Sequence, residues 1–233
     1  MTGIVIAIDG PSGSGKSTIS RRVATDLGLS YLDTGAMYRA ATWWCLDQDI
    51  PLDDADAVAE AVAEMPLEMG MDPADPAVRV GRTDVTAAIR STRIATAVSK
   101  VATNVPVRGE LRRLQRELIR QETEPLEGRS DGRGIVAEGR DITTVVAPDA
   151  HVRILLTASE EARLARRARE VHGRDDADAI AATIDQVLRR DRDDSTVSSF
   201  LTASDGVTTV DSSALSLEQT VDLVRQLIEE VRA

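Results

Sequence analysis

Apolar residues along the chain fall into short unbroken runs separated by stretches with a helical rhythm. The first run, Ile4-Val5-Ile6-Ala7-Ile8, is stopped by Asp9-Gly10-Pro11. A β-branched run this short, without polar alternation, predicts a strand covered on both faces, as in a parallel sheet. From Gly15 the rhythm changes: Ile19, Val23 and Leu27 recur every fourth residue and Gly28 follows, predicting a glycine-closed helix. Tyr31-Leu32 predicts a second strand. Residues 35–47 predict a helix with Met37, Ala40, Ala41, Trp44 and Cys45 on one side.

The pattern weakens between residues 50 and 105. Helix is predicted for Asp53–Met65, short strands for Leu67–Met71 and Val78–Val80, then helices at Val85–Arg90 and Ile94–Val101. No long apolar strand occurs there, which predicts an insertion packed on the main core. Val105–Gln121 predicts a stronger helix, with Leu111, Leu114, Leu118 and Ile119 inward and its arginines outward. Gly128–Gly134 is a loop by composition. Buried-strand runs return at Ile135–Ala137, Val152–Leu156 and Val207–Val210, with helices predicted at Ser159–Val171 and Ala177–Arg192. A last helix opens on the capping box Ser216-x-x-Gln219 and points Val221, Val224, Leu227, Ile228 and Val231 inward. Five strands alternating with helices predict an α/β fold with a parallel sheet.

Composition narrows the function classes. The 233 residues carry 28 basic and 39 acidic side chains, a formal charge of −11, with 42% hydrophobic residues. A chain this acidic, with five aromatic residues, is a poor match to a nucleic-acid groove, which needs basic surface and stacking rings. No apolar run approaches the roughly 18 residues of a membrane span, and no signal peptide is apparent, so a cytoplasmic protein is expected. One cysteine and two histidines leave no material for a Cys/His metal centre. Of the 28 basic residues only Lys16 and Lys100 are lysines. That bias reads mostly as genomic composition, yet a surviving lysine marks a place where a compact ammonium matters.

Lys16 lies in such a place. Gly10-Pro11-Ser12-Gly13-Ser14-Gly15-Lys16-Ser17 fits G-x-x-x-x-G-K-[ST], Thr18 extends it, and it sits between a buried strand and an amphipathic helix. Backbone N–H groups of such a loop curl round phosphate oxygens, and the helix N-terminus adds its positive dipole end. Lys16 would reach the β- and γ-phosphates of ATP, and the Ser17 hydroxyl would hold Mg²⁺. A guanine-reading Asn-Lys-x-Asp motif is absent. The strand at 135–137 runs into Glu138-Gly139-Arg140-Asp141, which leaves a motor-type ATPase open. Arginines near 39, 108, 140, 163–169 and 189–192 fit a small phosphotransferase with a phosphorylated acceptor better.

Several separated segments together resemble bacterial cytidylate kinases. They are Ile6–Thr18, Leu32-Asp33-Thr34-Gly35-Ala36-Met37-Tyr38-Arg39, Asp84-Val85 with Ile89-Arg90, Val136–Asp141 with Thr144–Val146 and Pro148–Ala150, and Arg190-Asp191 with Asp194–Thr196. The resemblance runs from about residue 4 to 211, in order. It implies a P-loop NTPase-type, five-stranded parallel sheet flanked by helices. The core would comprise residues 1–35, 108–158 and 176–233, with an acceptor-binding insertion at 36–107 and a short lid at 159–175.

The same resemblance implies roles. Thr34, Tyr38, Arg39, Ser99, Arg108, Arg140, Asp141, Arg190 and Asp194 would bind the nucleoside monophosphate. Asp141 would accept from the cytosine amino group, a bond that uracil cannot supply. Lys16 and the lid residues Arg163, Arg166 and Arg167 would act on the transferring phosphoryl group. The implied reaction is ATP-dependent phosphorylation of CMP or dCMP by a monomer, with Mg²⁺. A kinase of UMP, AMP or shikimate, or a regulatory nucleotide-binding module with weak turnover, are the alternatives. Two departures stand out: Thr143 replaces a usual glycine, and Val197 a usual arginine.

Overall fold

The computed structural model describes residues 3–232. Its centre is a parallel sheet of five strands: β1 Ile4–Asp9, β2 Ser30–Asp33, β6 Gly134–Gly139, β7 Val152–Thr157 and β8 Thr208–Asp211, in the order β2-β6-β1-β7-β8. Alternate residues of β1 serve opposite faces, as the two-residue strand period requires. Ile4, Ile6 and Ile8 pack with Val136, Ile154 and Leu156 under helices α1 (Lys16–Leu27) and α9 (Leu217–Arg232). Ala7, with Ile135 and Ala137, packs against α2 (Thr34–Asp47) and α5 (Val105–Thr123). Both faces are dry over β1, β6 and β7, which is why these read as continuous apolar runs, whereas edge strand β8 is buried only at Val210.

The insertion holds α3 (Ala55–Ala63), α4 (Thr92–Ala102) and a small antiparallel sheet of β3 Leu67–Met69, β4 Val78–Val80 and β5 Thr83–Asp84. The helix expected over Val85–Arg90 is reduced to one tight turn at Ala88–Arg90. Next to the β4–β5 hairpin the Val85 N–H is taken by the Val78 carbonyl at 2.9 Å, and Thr86 and Ala87 form a turn. The lid region carries α6 (Glu160–His172). Beyond it, the expected helix over Ala177–Arg192 is divided into α7 (Ala177–Ile184) and α8 (Arg190–Ser195) by a wider, π-type turn at Asp185–Arg189. The capping box of α9 is reciprocated: Ser216 N–H donates to Gln219 Oε1 at 2.9 Å, and Gln219 N–H to Ser216 Oγ at 3.2 Å. Val231, expected inward, is exposed because α9 has by then outrun the sheet.

Candidate active site

Parallel pairing brings the carboxyl ends of three strands level. Asp9 stands opposite Gly139, and Asp33 opposite Glu138. Ligands of open parallel sheets bind outside these strand ends. Here the chain leaves β1 into the glycine-rich loop and enters α1 through Gly15, which has φ +94° and no side chain capping the helix. The first N–H groups of α1 thus keep their capacity for an anion. Gly13, at φ +78°, lies so close to the lid that a Cβ there would come within 2.6 Å of the Arg163 carbonyl oxygen.

Lys16 Nζ donates to the Pro11 carbonyl at 2.9 Å, bent back over its own loop. Burial lowers its pKa to about 8, against the attraction of Glu138. Glu138 is itself buried and pushed up, by burial first and by neighbouring Asp33 second, while Lys16 and its hydrogen-bonding neighbours pull the other way. Tyr31 donates its hydroxyl to Glu138 Oε1 at 2.7 Å. Burial also raises Asp33, but Arg39 at 2.7 Å and the Ala36 N–H at 2.8 Å outweigh it and hold that carboxyl low.

A cleft of about 530 Å³ opens over these groups, lined by Lys16, Ser17, Arg39, Arg140, Arg167 and Arg190 among others. Burial and the neighbouring charges of Arg140 and Arg39 lower Arg190 to about 10. The four arginines are held by Asp33, Asp191, Asp194 and Glu170, and their crowding is what makes the cleft suited to an anion. A small cavity adjoins it, lined by Thr34, Tyr38, Arg108, Arg140, Asp141 and Asp194. The Arg108 guanidinium lies 5.7 Å from the Tyr38 ring centroid and donates to Asp141 Oδ2 at 2.6 Å. Thr34 donates to the Glu138 carbonyl at 2.8 Å, holding α2 to β6.

The expected acceptor residues therefore gather around two joined cavities, with one exception. Ser99 is half-buried on α4, one turn before Ala102, and lines neither cavity. The Arg190–Asp194 pair is no surface pair: it lies at 3.6 Å, with the Asp194 carboxylate also held by Arg140 Nε at 2.8 Å.

The lid arginines divide. Arg167 reaches the cleft, pairing with Glu170 at 2.9 Å. Arg166 bridges the phosphate loop and β8, donating to the Ser14 carbonyl at 3.2 Å and the Ser212 carbonyl at 2.7 Å. Arg163, expected to act on the transferring group, is buried and turned away from the cleft. It donates to the Ser12 carbonyl at 3.0 Å and pairs with Asp191. The cause is Asp191, whose carboxylate also accepts the Ser12 N–H at 3.0 Å and Arg140 at 2.7 Å. It is a hub joining phosphate loop, lid and acceptor side. Burial raises its pKa, but Arg140 and these hydrogen bonds leave it below the ordinary value.

Asp9, Asp33, Asp191 and Arg112 were not singled out from the sequence. For Asp33 a signal existed, since it directly precedes Thr34 at the end of a strand. Arg112, expected to point outward, grips Asp141 Oδ2 through Nε at 2.9 Å and Nη2 at 2.6 Å. Arg108 on the same helix is also buried rather than outward. Thr143 donates its hydroxyl to Asp9 Oδ2 at 2.6 Å, and its N–H to the same oxygen at 2.8 Å.

A loop built to hold a triphosphate, facing a cationic cleft for a second anion, defines a P-loop phosphotransferase. A sequence model of the family described as cytidylate kinase matches residues 6–230. Proteins named cytidylate kinase from Streptomyces avermitilis and Streptomyces coelicolor are 44% and 46% identical over 231 and 232 residues, in both cases 99% of this chain and 94% of the relative. One from Cutibacterium acnes is 46% identical over 231 residues, covering 97% and 96%. An uncharacterised protein of known structure from Eubacterium ventriosum shares the fold, with TM-score 0.50 at 13% identity over 97% of this chain and 98% of that one. The chain belongs to the cytidylate kinase family.

Proposed function

We propose that the chain transfers the γ-phosphoryl group of ATP to CMP or dCMP, giving ADP and CDP or dCDP. The observation that carries this reading is the pairing of cavities. Asp141, an acceptor for an amino group, stands in the smaller one, and Arg39, Arg140 and Arg190 crowd the cleft between it and Lys16. A pyrimidine seated against Asp141 directs its phosphate toward those arginines. The ATP phosphates lie along the loop from Ser12 to Thr18, with Gly10 and Pro11 shaping its entry. The donor base takes the cavity of about 440 Å³ beyond Thr18 and Ile19, beside Arg166 and Leu215.

The acceptor phosphate is largely a dianion at pH 7, since its second pKa is about 6. It needs no general base. One of its oxygens forms the new bond to the γ-phosphorus as the bond to the β-bridging oxygen breaks, and ADP leaves. Lys16 exchanges the Pro11 carbonyl for a phosphate oxygen, and Arg167 offsets charge on the moving group. Arg163 holds the lid root on Asp191, a positioning role. Ser17, Glu138 and Asp33 are the residues that would hold Mg²⁺. Two neighbouring buried carboxylates, of which Asp33 raises the proton affinity of Glu138, beside a hydroxyl, fit a hard divalent cation. Bound there, the ion would neutralise and orient the donor phosphates.

The reading includes a monomer in the cytoplasm, with 36–107 closing on the acceptor and 159–175 on the donor. No helix among the described residues is long and apolar enough to cross a membrane. An ADP-release assay across CMP, dCMP, UMP and AMP tests it. Turnover with CMP and dCMP well above UMP and AMP is expected. ATP hydrolysis at one rate with and without any acceptor would overturn it.

A further inference from the structure

Arg112 reaches the acceptor site without lining its cavities. It stands one helical turn after Arg108 on α5, so both side chains project from the same face toward the loop after β6. Both end on a single atom. Asp141 Oδ2 accepts Arg108 Nη2 at 2.6 Å, Arg112 Nε at 2.9 Å and Arg112 Nη2 at 2.6 Å. The Arg112 side chain is 22% exposed and the Asp141 side chain 5%. All three bonds fall on Oδ2, so Oδ1 is the oxygen left for a ligand in the cavity that Asp141 lines.

The two arginines are not redundant. Arg108 is also committed to the Ala102 carbonyl at 3.0 Å and the Ser198 hydroxyl at 2.6 Å, and its ring contact with Tyr38 fixes its plane. It holds Oδ2 by one bond, about which a carboxylate can still turn. Arg112 adds two donors of one rigid fork, and three donors on one oxygen fix the plane of the carboxylate. That plane decides where Oδ1 points.

We propose that Arg112 is a positioning residue that sets the preference for cytosine over uracil, by locking Asp141 with Oδ1 toward the exocyclic amino group of the acceptor base. The inference rests on the reaction proposed above. A cytosine amino group donates to Oδ1, whereas a uracil carbonyl meets it with like partial charge, so discrimination depends on Oδ1 being held in place. Loss of the fork frees Oδ1 to swing out of line. This weakens the cytosine contact and relieves the clash with uracil.

The test is kcat/KM for CMP and UMP in wild type, R112L, R112K and R113L, each checked by thermal unfolding. R112L is expected to lose about tenfold or more with CMP, the equivalent of one hydrogen bond to a charged group. Its activity with UMP is expected to stay level or rise, so the CMP/UMP ratio collapses. R112K, with a point charge in place of the fork, restores the ratio only in part. R113L, whose arginine pairs with Glu110 on the exposed side, leaves the ratio at the wild-type value. A merely structural role would lower both acceptors together, and that outcome overturns the proposal. So does an unchanged ratio in folded R112L. A wild-type chain without any CMP preference overturns the proposed function and this inference together.

Discussion

Asp9 and Thr143 are joined by a 2.6 Å hydrogen bond from the threonine hydroxyl to the carboxylate Oδ2. The bond ties the last residue of β1 to the loop that carries Asp141. The Ile142 N–H reinforces it at 3.0 Å on Oδ1. The donor loop, which begins at Gly10, and the acceptor carboxylate thus hang from one buried anchor. The Thr143 side chain supplies a donor that a glycine at this position would lack.

Even with these donors, burial pushes Asp9 up from 3.8 to about 6. Between those values the native state holds the proton more tightly than the unfolded chain does. Stability therefore falls as pH rises through that window, by an amount on the order of 3 kcal/mol at about 1.4 kcal/mol per pKa unit. Urea unfolding at pH 4, 5 and 6.5 should show this decline in wild type and its absence in D9N. T143V, which deletes one donor to the carboxylate, should cost about 1–2 kcal/mol at pH 7 and move the decline to higher pH.

Lys16 supplies a second pH signature. Its pKa of about 8 leaves it mostly charged at pH 7 and neutral in alkaline buffer. In free enzyme, kcat/KM for ATP should fall as pH rises through about 8. K16R should remove that alkaline limb while lowering activity at pH 7 by about a hundredfold, because a planar guanidinium cannot replace a compact ammonium folded against the loop.

Arg163 and Arg167 should separate stability from rate. R163M strips Asp191 of one of two arginine partners and of the lid's hold on Ser12. It should cost about 2–3 kcal/mol in unfolding free energy and raise KM for ATP. R167M breaks only a half-exposed pair with Glu170 and should change stability by less than about 1 kcal/mol. Its kcat should nonetheless fall about a hundredfold. Chemical denaturation and steady-state kinetics on the two variants distinguish these outcomes.

Glu138 should control metal dependence. E138Q keeps an acceptor for the Tyr31 hydroxyl but loses the charge beside Ser17 and Asp33. The Mg²⁺ concentration for half-maximal activity should rise about tenfold or more, while chelation of the metal should abolish turnover in both proteins.

The apolar runs made the five-stranded parallel core legible, because strands buried on both faces admit little else. The glycine-rich loop was legible for a similar reason: phosphate binding demands backbone conformations and a lysine at set spacing. Helix faces were harder to read. Arg108 and Arg112 on α5 look like ordinary solvated arginines, as do Arg113 and Arg116. Nothing local says that the first two meet a carboxylate at position 141. Arg163 is the converse case, since its place in an arginine-rich lid pointed to the cleft while Asp191, 28 positions away, drew it inward.

The sequence by itself determined most element types and the phosphate loop, since each depends on neighbours a few positions apart. Tertiary structure decided which oxygen of which carboxylate each arginine holds. Asp191 meets Ser12 across 179 positions, and Asp9 meets Thr143 across 134. Those partners are set by parallel strand register and by the packing of α5 and α8 on the sheet. Buried charges then settle where their pairing best offsets desolvation, and that balance exists only once the layers have closed.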